Sequence, residues 1–284
     1  MLKDIRESWT EESYTFRLLE HLREGLHGSP RMLIVAAHPD DEVASAGTVI
    51  RYAEDLYIIH TTDGAPKDLK YARAASFRTR GEYARARRRE LLSALRLARI
   101  PSARAMEAGF VDQEASFNLF ALTEKLKEMI SAVSPGVVFT LPYEGGHPDH
   151  DSTAFAVHAA LRLIERETDD EPFLVEYASY HANGTMFAAM EFLPAETETV
   201  TVVLTEEERA AKESMINCFA TQCGVLKAFP RASERYRRAP LYDFTSPPHK
   251  GKLYYENFDW GITGAHWREK AKEALADLEI IDLV

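Results

Sequence analysis

The sequence predicts an α/β fold in which an open, mostly parallel sheet carries helices on both faces, with a β-hairpin and helical extension toward the C-terminal end. Three observations carry that prediction. Short, wholly apolar runs such as Met32-Leu33-Ile34-Val35-Ala36-Ala37 have the composition of strands buried on both faces. Stretches of helical periodicity alternate with them, as in repeated strand–helix–strand units. With 284 residues, 45% of them apolar, the chain is long enough to bury one large core. The result is a Rossmann-like architecture.

The elements follow in order. Residues 10–26 read as an amphipathic helix with Phe16, Leu18, Leu19, Leu22 and Leu26 near helical spacing, closed by Pro30. The first strand, 32–37, runs into His38-Pro39-Asp40-Asp41-Glu42 and a helix to about Ala53. A second strand, 56–62, ends at Asp63-Gly64, and an Arg-rich helical pattern spans 71–98. A weak strand at 104–111 and a helix at 117–132 precede Val137-Val138-Phe139-Thr140, a clear strand introduced by Pro135-Gly136. The loop 142–146 leads to His147-Pro148-Asp149-His150-Asp151 and a helix to about Ile164. Beyond residue 172 the grammar changes. Residues 174–182 and 186–192 flank Asn183-Gly184, a strong hairpin signal, and 206–223 is helical behind the N-cap Thr205. The aromatic tail 254–260 precedes a short terminal helix. No repeat or linker is visible, so the chain reads as one domain over 1–284: an N-terminal helix within 1–30, a core over 31–240 and an extension over 241–284.

The formal net charge of −11 argues against binding to a phosphate backbone, which relies on Lys and Arg to neutralise phosphates. Apart from Arg87, the basic run 85–89 reads as a solvated helix face instead. The two cysteines, Cys218 and Cys223, do not form a Cys-x-x-Cys pair and suit reduced thiols. No signal peptide or bilayer-length apolar run is visible, and Asn183-Gly184-Thr185 reads as a turn rather than a glycan acceptor. A cytoplasmic protein is expected, without nucleic-acid or membrane partners; a homo-oligomer is compatible with the sequence.

The chemistry is concentrated in two segments of the same form, 38–42 and 147–151. Each follows a buried strand and opens a helix, so both belong at the carboxyl edge of the sheet, where α/β proteins bind ligands. Two imidazoles and a carboxylate suit a catalytic zinc that keeps a position open for water, and suit ferrous iron as well. The remaining carboxylates and histidine are available for proton transfer and oxyanion stabilisation. The competing explanation is helix capping, since Asp40, Asp41 and Glu42 also suit a first turn. The second segment in the same topological position favours the metal.

These two segments resemble the paired signature of the LmbE/PIG-L metal-dependent deacetylases, which act on N-acetylglucosamine-type substrates or cleave related amides. The resemblance spans roughly 30–240 and takes in Thr62-Asp63-Gly64, Arg87 with Glu90, Gly109-Phe110-Val111-Asp112, and Lys212 through Thr221-Gln222. It implies that His38, Asp41 and His150 ligate the metal and that Asp40 is the general base that activates water. It further implies that His147 stabilises the oxyanion or protonates the leaving amine, with Asp149 orienting its imidazole. One position departs. Where some members carry a tyrosine two residues before the second motif, this chain has Gly145, and Tyr143 is the nearest tyrosine.

Arg87 shares a helix face with Leu91, Ala94 and Ala98, which marks it as inward and in need of a partner. It reads as a substrate contact, with an ion pair to Asp63, Asp112 or Glu90 as the structural alternative. Asp112 reads as a contact to substrate hydroxyls. For His181 and the aromatic tail, core packing is the simpler role beside lining a pocket or stacking on a sugar. No His-Glu-x-x-His, Gly-x-Ser-x-Gly or phosphate-binding glycine motif occurs. The function expected is metal-dependent N-deacetylation of an amino-sugar conjugate. The alternatives are an amidase for a larger conjugate and a non-catalytic metal- or sugar-binding protein.

Overall fold

The structure, a computed structural model, describes residues 10–168, 172–184, 186–281 and 283. Part of the expected N-terminal segment, and Thr185 of the Asn-Gly-Thr turn, therefore lie outside the described residues. The chain opens with helix α1 (Glu11–Arg23), capped by the Thr10 hydroxyl, which accepts the Ser13 N–H. Leu18, Leu19 and Leu22 are buried beneath it, while Phe16 and Leu26 remain exposed.

Five parallel strands follow: β1 (Met32–Ala36), β2 (Leu56–Thr62), β3 (Ala105–Phe110), β4 (Val137–Thr140) and β5 (Phe173–Tyr177). Between them run α2 (Asp41–Ser45), α3 (Gly47–Tyr52), α4 (Leu69–Ala74), α5 (Arg80–Leu97), α6 (Leu119–Val133) and α7 (Pro148–Thr168). The single helix expected after the first motif is two, broken at Ala46. The Arg-rich pattern is also two: Ser76 takes a positive φ, and Thr79 with Glu82 forms a capping box that starts α5 afresh.

After β5, Tyr180–Asn183 (β6) and Met186–Ala189 (β7) form the antiparallel hairpin around Asn183-Gly184, so the expected strand 174–182 is divided between the main sheet and this hairpin. Two further strands escape the sequence pattern, β8 (Thr199–Val203) and β9 (Ser233–Arg238). They extend the sheet in antiparallel pairing, to give the order β3-β2-β1-β4-β5-β9-β8. Helix α8 (Glu206–Ile216) lies between them and starts at the capping box of Thr205 and Glu208. It stops well short of 223; a 3-10 turn and the short helix α9 (Cys223–Leu226) complete that segment.

Period-two alternation along β1 divides the core. Met32, Ile34 and Ala36 join one cluster with α1, α3, α5 and α8, and Leu33 and Val35 join the other with α6 and α7. The C-terminal helix α10 (Gly264–Asp277) belongs to the second cluster: Trp267 is fully buried and its indole N–H donates to Ser152 Oγ at 3.0 Å. Among the described residues, no helix is long and apolar enough to cross a membrane.

Candidate metal centre

The order of strands reverses between β1 and β4, which pair in parallel. That switch point is where loops from neighbouring strands diverge and leave a crevice. His38 follows β1, Thr62-Asp63-Gly64 follows β2, Asp112 follows β3, the second motif follows β4, and Ser179 and Tyr180 follow β5. Both motifs thus meet at the carboxyl edge of the sheet.

The side chains converge closely. Donor atoms of His38, Asp41 and His150 all lie within 4.8 Å of one another, and so do those of His38, Asp112, His147 and Asp149. Asp41 bridges the motifs: one carboxylate oxygen accepts the His38 backbone N–H at 2.8 Å and the other lies 3.3 Å from His150 Nε2. The His38 and His147 rings meet edge to face at 4.5 Å. Asp112 is buried and its Oδ1 accepts no hydrogen bond, an unusual state for a buried carboxylate oxygen. Oxygen and imidazole donors gathered in one buried crevice are the conditions that suit a divalent cation.

Electrostatics sort the same groups. Burial opposes a charge on His38, but Asp112, Asp149 and Asp41 outweigh it and raise its pKa well above the usual histidine value. Burial likewise opposes the Asp41 carboxylate, yet His150 and His38 hold its pKa well below the ordinary range. Asp40 is pushed up to about 7, by burial first and by the Asp41 charge, against the pull of Arg87. His147 is driven well below its usual value by burial and by the neighbouring histidines, and so is neutral near pH 7.

The surroundings of two expected site residues differ in detail from the sequence reading. Arg87 is buried on the inward face of α5 as expected, but its guanidinium is committed to protein groups. It donates to Gly64 O at 2.7 Å and Pro39 O at 2.9 Å, and reaches Asp40 Oδ2 at 3.2 Å. The close approach requires Gly64, whose φ is +64° and where a Cβ would sit 2.8 Å from the guanidinium carbon. Arg87 therefore borders the cavity while bracing Asp40. Of its anticipated partners, Asp63 pairs with Arg80 and Glu90 accepts the Thr221 N–H and hydroxyl, while against burial the Asp40 and Asp112 charges help raise the Arg87 pKa.

The second difference concerns Asp149. Its carboxylate faces His38 Nε2 at 3.3 Å and accepts the Gln113 and Ala115 N–H groups, whereas His147 Nδ1 accepts the Asp149 backbone N–H at 3.1 Å. The first turn of α7 directs that carboxylate toward the β3 loop and leaves only its main chain for His147. Tyr143 is also turned away from the site. It stacks on Trp267, and its hydroxyl donates to Ser246 O at 2.9 Å.

A cavity of about 190 Å³ opens over these groups, lined by His38, Asp40, Asp41, Arg87, Asp112, His147 and His150 together with Tyr71, Tyr180, Phe229 and Trp260. His181 is absent from its lining. Tyr180, whose ring lies 5.1 Å from His150, was not singled out from the sequence, because hairpin tyrosines are common and no local spacing links residue 180 to the motifs. A larger cavity of about 330 Å³ lies at the other edge of the sheet around Tyr14, Phe173 and Arg238, and lacks any comparable donor set.

Comparison with known proteins agrees with this arrangement. The family model described as PIG-L, GlcNAc-PI de-N-acetylase, matches residues 33–161, the stretch that holds both histidine motifs. The probable N-acetyl-α-D-glucosaminyl L-malate deacetylase 2 of Bacillus anthracis is 30% identical over 159 residues, which cover 53% of this chain and 67% of the relative. The chain belongs to the PIG-L family. Solved structures share the PIG-L fold at low identity. A deacetylase of the teicoplanin biosynthesis pathway superposes with a TM-score of 0.56 at 16% identity, covering 73% of this chain and 96% of the other. The N,N'-diacetylchitobiose deacetylase of Pyrococcus horikoshii gives 0.53 at 20% identity, covering 82% and 94%.

Proposed function

We propose that this PIG-L family member is a divalent-metal-dependent hydrolase that removes an acetyl group from an N-acetylglucosamine-type conjugate. The observation that carries the proposal is the convergence of two strand-end motifs, which brings donor atoms of His38, Asp41 and His150 within 4.8 Å with Asp40 beside them. Those three residues hold the metal, zinc or ferrous iron by the chemistry of the donors. When bound, the metal supplies Lewis acidity and makes water acidic enough to ionise near neutral pH.

The residues of the chain do the rest. Asp40 accepts the proton of the attacking water; its pKa of about 7 suits a base that must also release that proton. Arg87 fixes the carboxylate of Asp40 and the backbone before it. His147 donates a ring N–H to the developing oxyanion or relays to the leaving nitrogen the proton that Asp40 took from water. Water adds across the amide, the C–N bond breaks, and acetate and a free amine leave. Asp149 holds the imidazole of His38, and Asp112, whose Oδ1 lies 3.5 Å from His38 Nε2, faces the substrate hydroxyls. A base beside the metal distinguishes this reading from a binding protein, which has no need of one. The chain is read as one domain over 1–284 and as a cytoplasmic enzyme, consistent with its two free cysteines.

The test is metal content of the purified protein together with amine release from N-acetylglucosamine, before and after chelation and after adding back zinc or ferrous iron. Metal near one per chain and chelator-sensitive release are expected. Protein that takes up no metal on reconstitution would defeat the proposal.

A further inference from the structure

The C-terminal segment is drawn across the second histidine motif. Leu253 packs over Gly145, and the Tyr254 N–H donates to Gly145 O at 2.9 Å. Gly145 has a φ of +72°, and a Cβ there would lie 2.7 Å from Leu253 Cδ2, so no side chain fits at this position. From that anchor the segment passes through a short 3-10 turn and brings Trp260 to the cavity. The Trp260 ring lies 4.6 Å from His147 and stacks on Phe258 at 4.5 Å with an interplanar angle of 13°. Its indole N–H donates to Tyr71 Oη at 2.7 Å, tying the segment to α4, whose Tyr71 also lines the cavity.

Packing against the second core cluster accounts for only part of this tryptophan. Trp267, a few residues on, is fully buried, whereas Trp260 is only partly buried and lines the cavity that holds the catalytic groups. Two contacts fix its orientation, so little side-chain entropy remains to be lost when a ligand arrives. A flat, fixed and partly solvated aromatic surface beside polar groups suits a ring with an apolar C–H face and a polar rim, which describes a pyranose. We propose that Trp260, braced by Tyr71 and Phe258, is the specificity-determining platform for the sugar ring that carries the scissile amide. This rests on the deacetylase reading for the identity of that amide. The platform comes from beyond the 33–161 stretch that the family model matches.

Calorimetric titration of the full-length, zinc-loaded protein tests the platform, with N-acetylglucosamine compared against acyclic N-acetylethanolamine and amine release followed in parallel. In Trp260→Ala, affinity for the sugar should fall about tenfold while affinity for the acyclic amide falls much less. Trp260→Phe should recover most of the loss, because it restores a flat ring. Tyr71→Phe, which removes the hydroxyl that accepts the indole N–H, should shift sugar affinity in the same direction by a smaller factor, and provides the test if Trp260→Ala does not fold. Equal losses for both ligands, no loss, or no sugar binding by the wild-type protein would overturn the platform. Sugar binding that depends on Trp260 without amine release would uphold it and defeat the deacetylase reading instead.

Discussion

Asp40 sits at φ 144°, a backbone conformation that side chains other than glycine adopt at a cost of about 1–3 kcal/mol. Arg87 is the brace that makes this conformation tolerable, since it grips the carbonyl of Pro39 and the carboxylate of Asp40 together. Two predictions belong at this scale. Asp40→Asn keeps the shape but removes the base, so amine release should drop by about 10²–10⁴-fold. Metal analysis of the same variant should show undiminished binding, and near-normal turnover would refute the assigned role. Arg87→Lys replaces a planar fork with a shorter, point-like ammonium that lacks the spread of Nη1 and Nη2 over the Gly64 and Pro39 carbonyls and the Asp40 carboxylate. Its kcat should fall by roughly tenfold or more with little change in KM. A rise in KM alone would restore Arg87 to the substrate-contact role that the sequence suggested.

At the scale of elements, the charged residues of β9 hold the second half of the molecule to the first. Glu234, fully buried, accepts from Lys212 Nζ at 2.7 Å, from the Gly47 and Thr48 N–H groups at the start of α3, and from the Tyr236 hydroxyl. One carboxylate thus ties α8 to the helix that follows the first motif. Burial penalises its charge, but Lys212 and the other donors outweigh that penalty and lower its pKa. Glu234→Ala would leave a buried ammonium and two helix N–H groups without a partner. Urea unfolding should then show a loss of about 3–5 kcal/mol. A change below about 1 kcal/mol would mean that water replaces the carboxylate.

For the whole molecule, stability should decline as pH rises because of a charge imbalance under the sheet. Arg237 Nε donates to Glu176 at 2.8 Å, and Arg237 Nη2 lies 3.2 Å from Glu144, so two buried carboxylates share one guanidinium. Burial raises Glu144 to about 8 and Glu176 to about 7 from an ordinary 4.5, against the pull of Arg237. A folded-state pKa raised in this way favours the native state fully below the unfolded value near 4.5. The advantage is lost as pH rises through about 7 and about 8. The melting temperature should therefore fall as pH rises from about 5 through neutral, and level off above about 8. Glu144→Gln keeps the acceptor and removes one charge, so its profile over that range should be flatter. Parallel profiles for the two proteins would exclude Glu144 as the cause.

The same three scales separate what was legible in the sequence from what was not. Strands β1, β2 and β4 and the two histidine motifs are local patterns: an apolar run predicts a strand buried on both faces, and a strand that ends at His-Pro-Asp places its histidine at the carboxyl edge. Those patterns suffice for the α/β class and for bringing both motifs to one edge, while the assignment of His38, Asp41, His150 and Asp40 to their roles rests on the resemblance to the family. Strand β9 could not be read this way, because Glu234 and Arg237 are buried by pairing with Lys212, Glu176 and Glu144, partners distant in sequence that an apolar pattern cannot reveal. The same holds for the orientation of Arg87 toward Asp40, of the Asp149 carboxylate toward His38, and of Tyr143 into the core. Side-chain chemistry limits what each residue can bind, and its spacing along a helix or strand fixes the face it occupies. Which partner it meets there depends on loops converging from separate strands, and only the packed tertiary structure decides that: it sets Leu253 on Gly145 and brings Trp260 to the cavity.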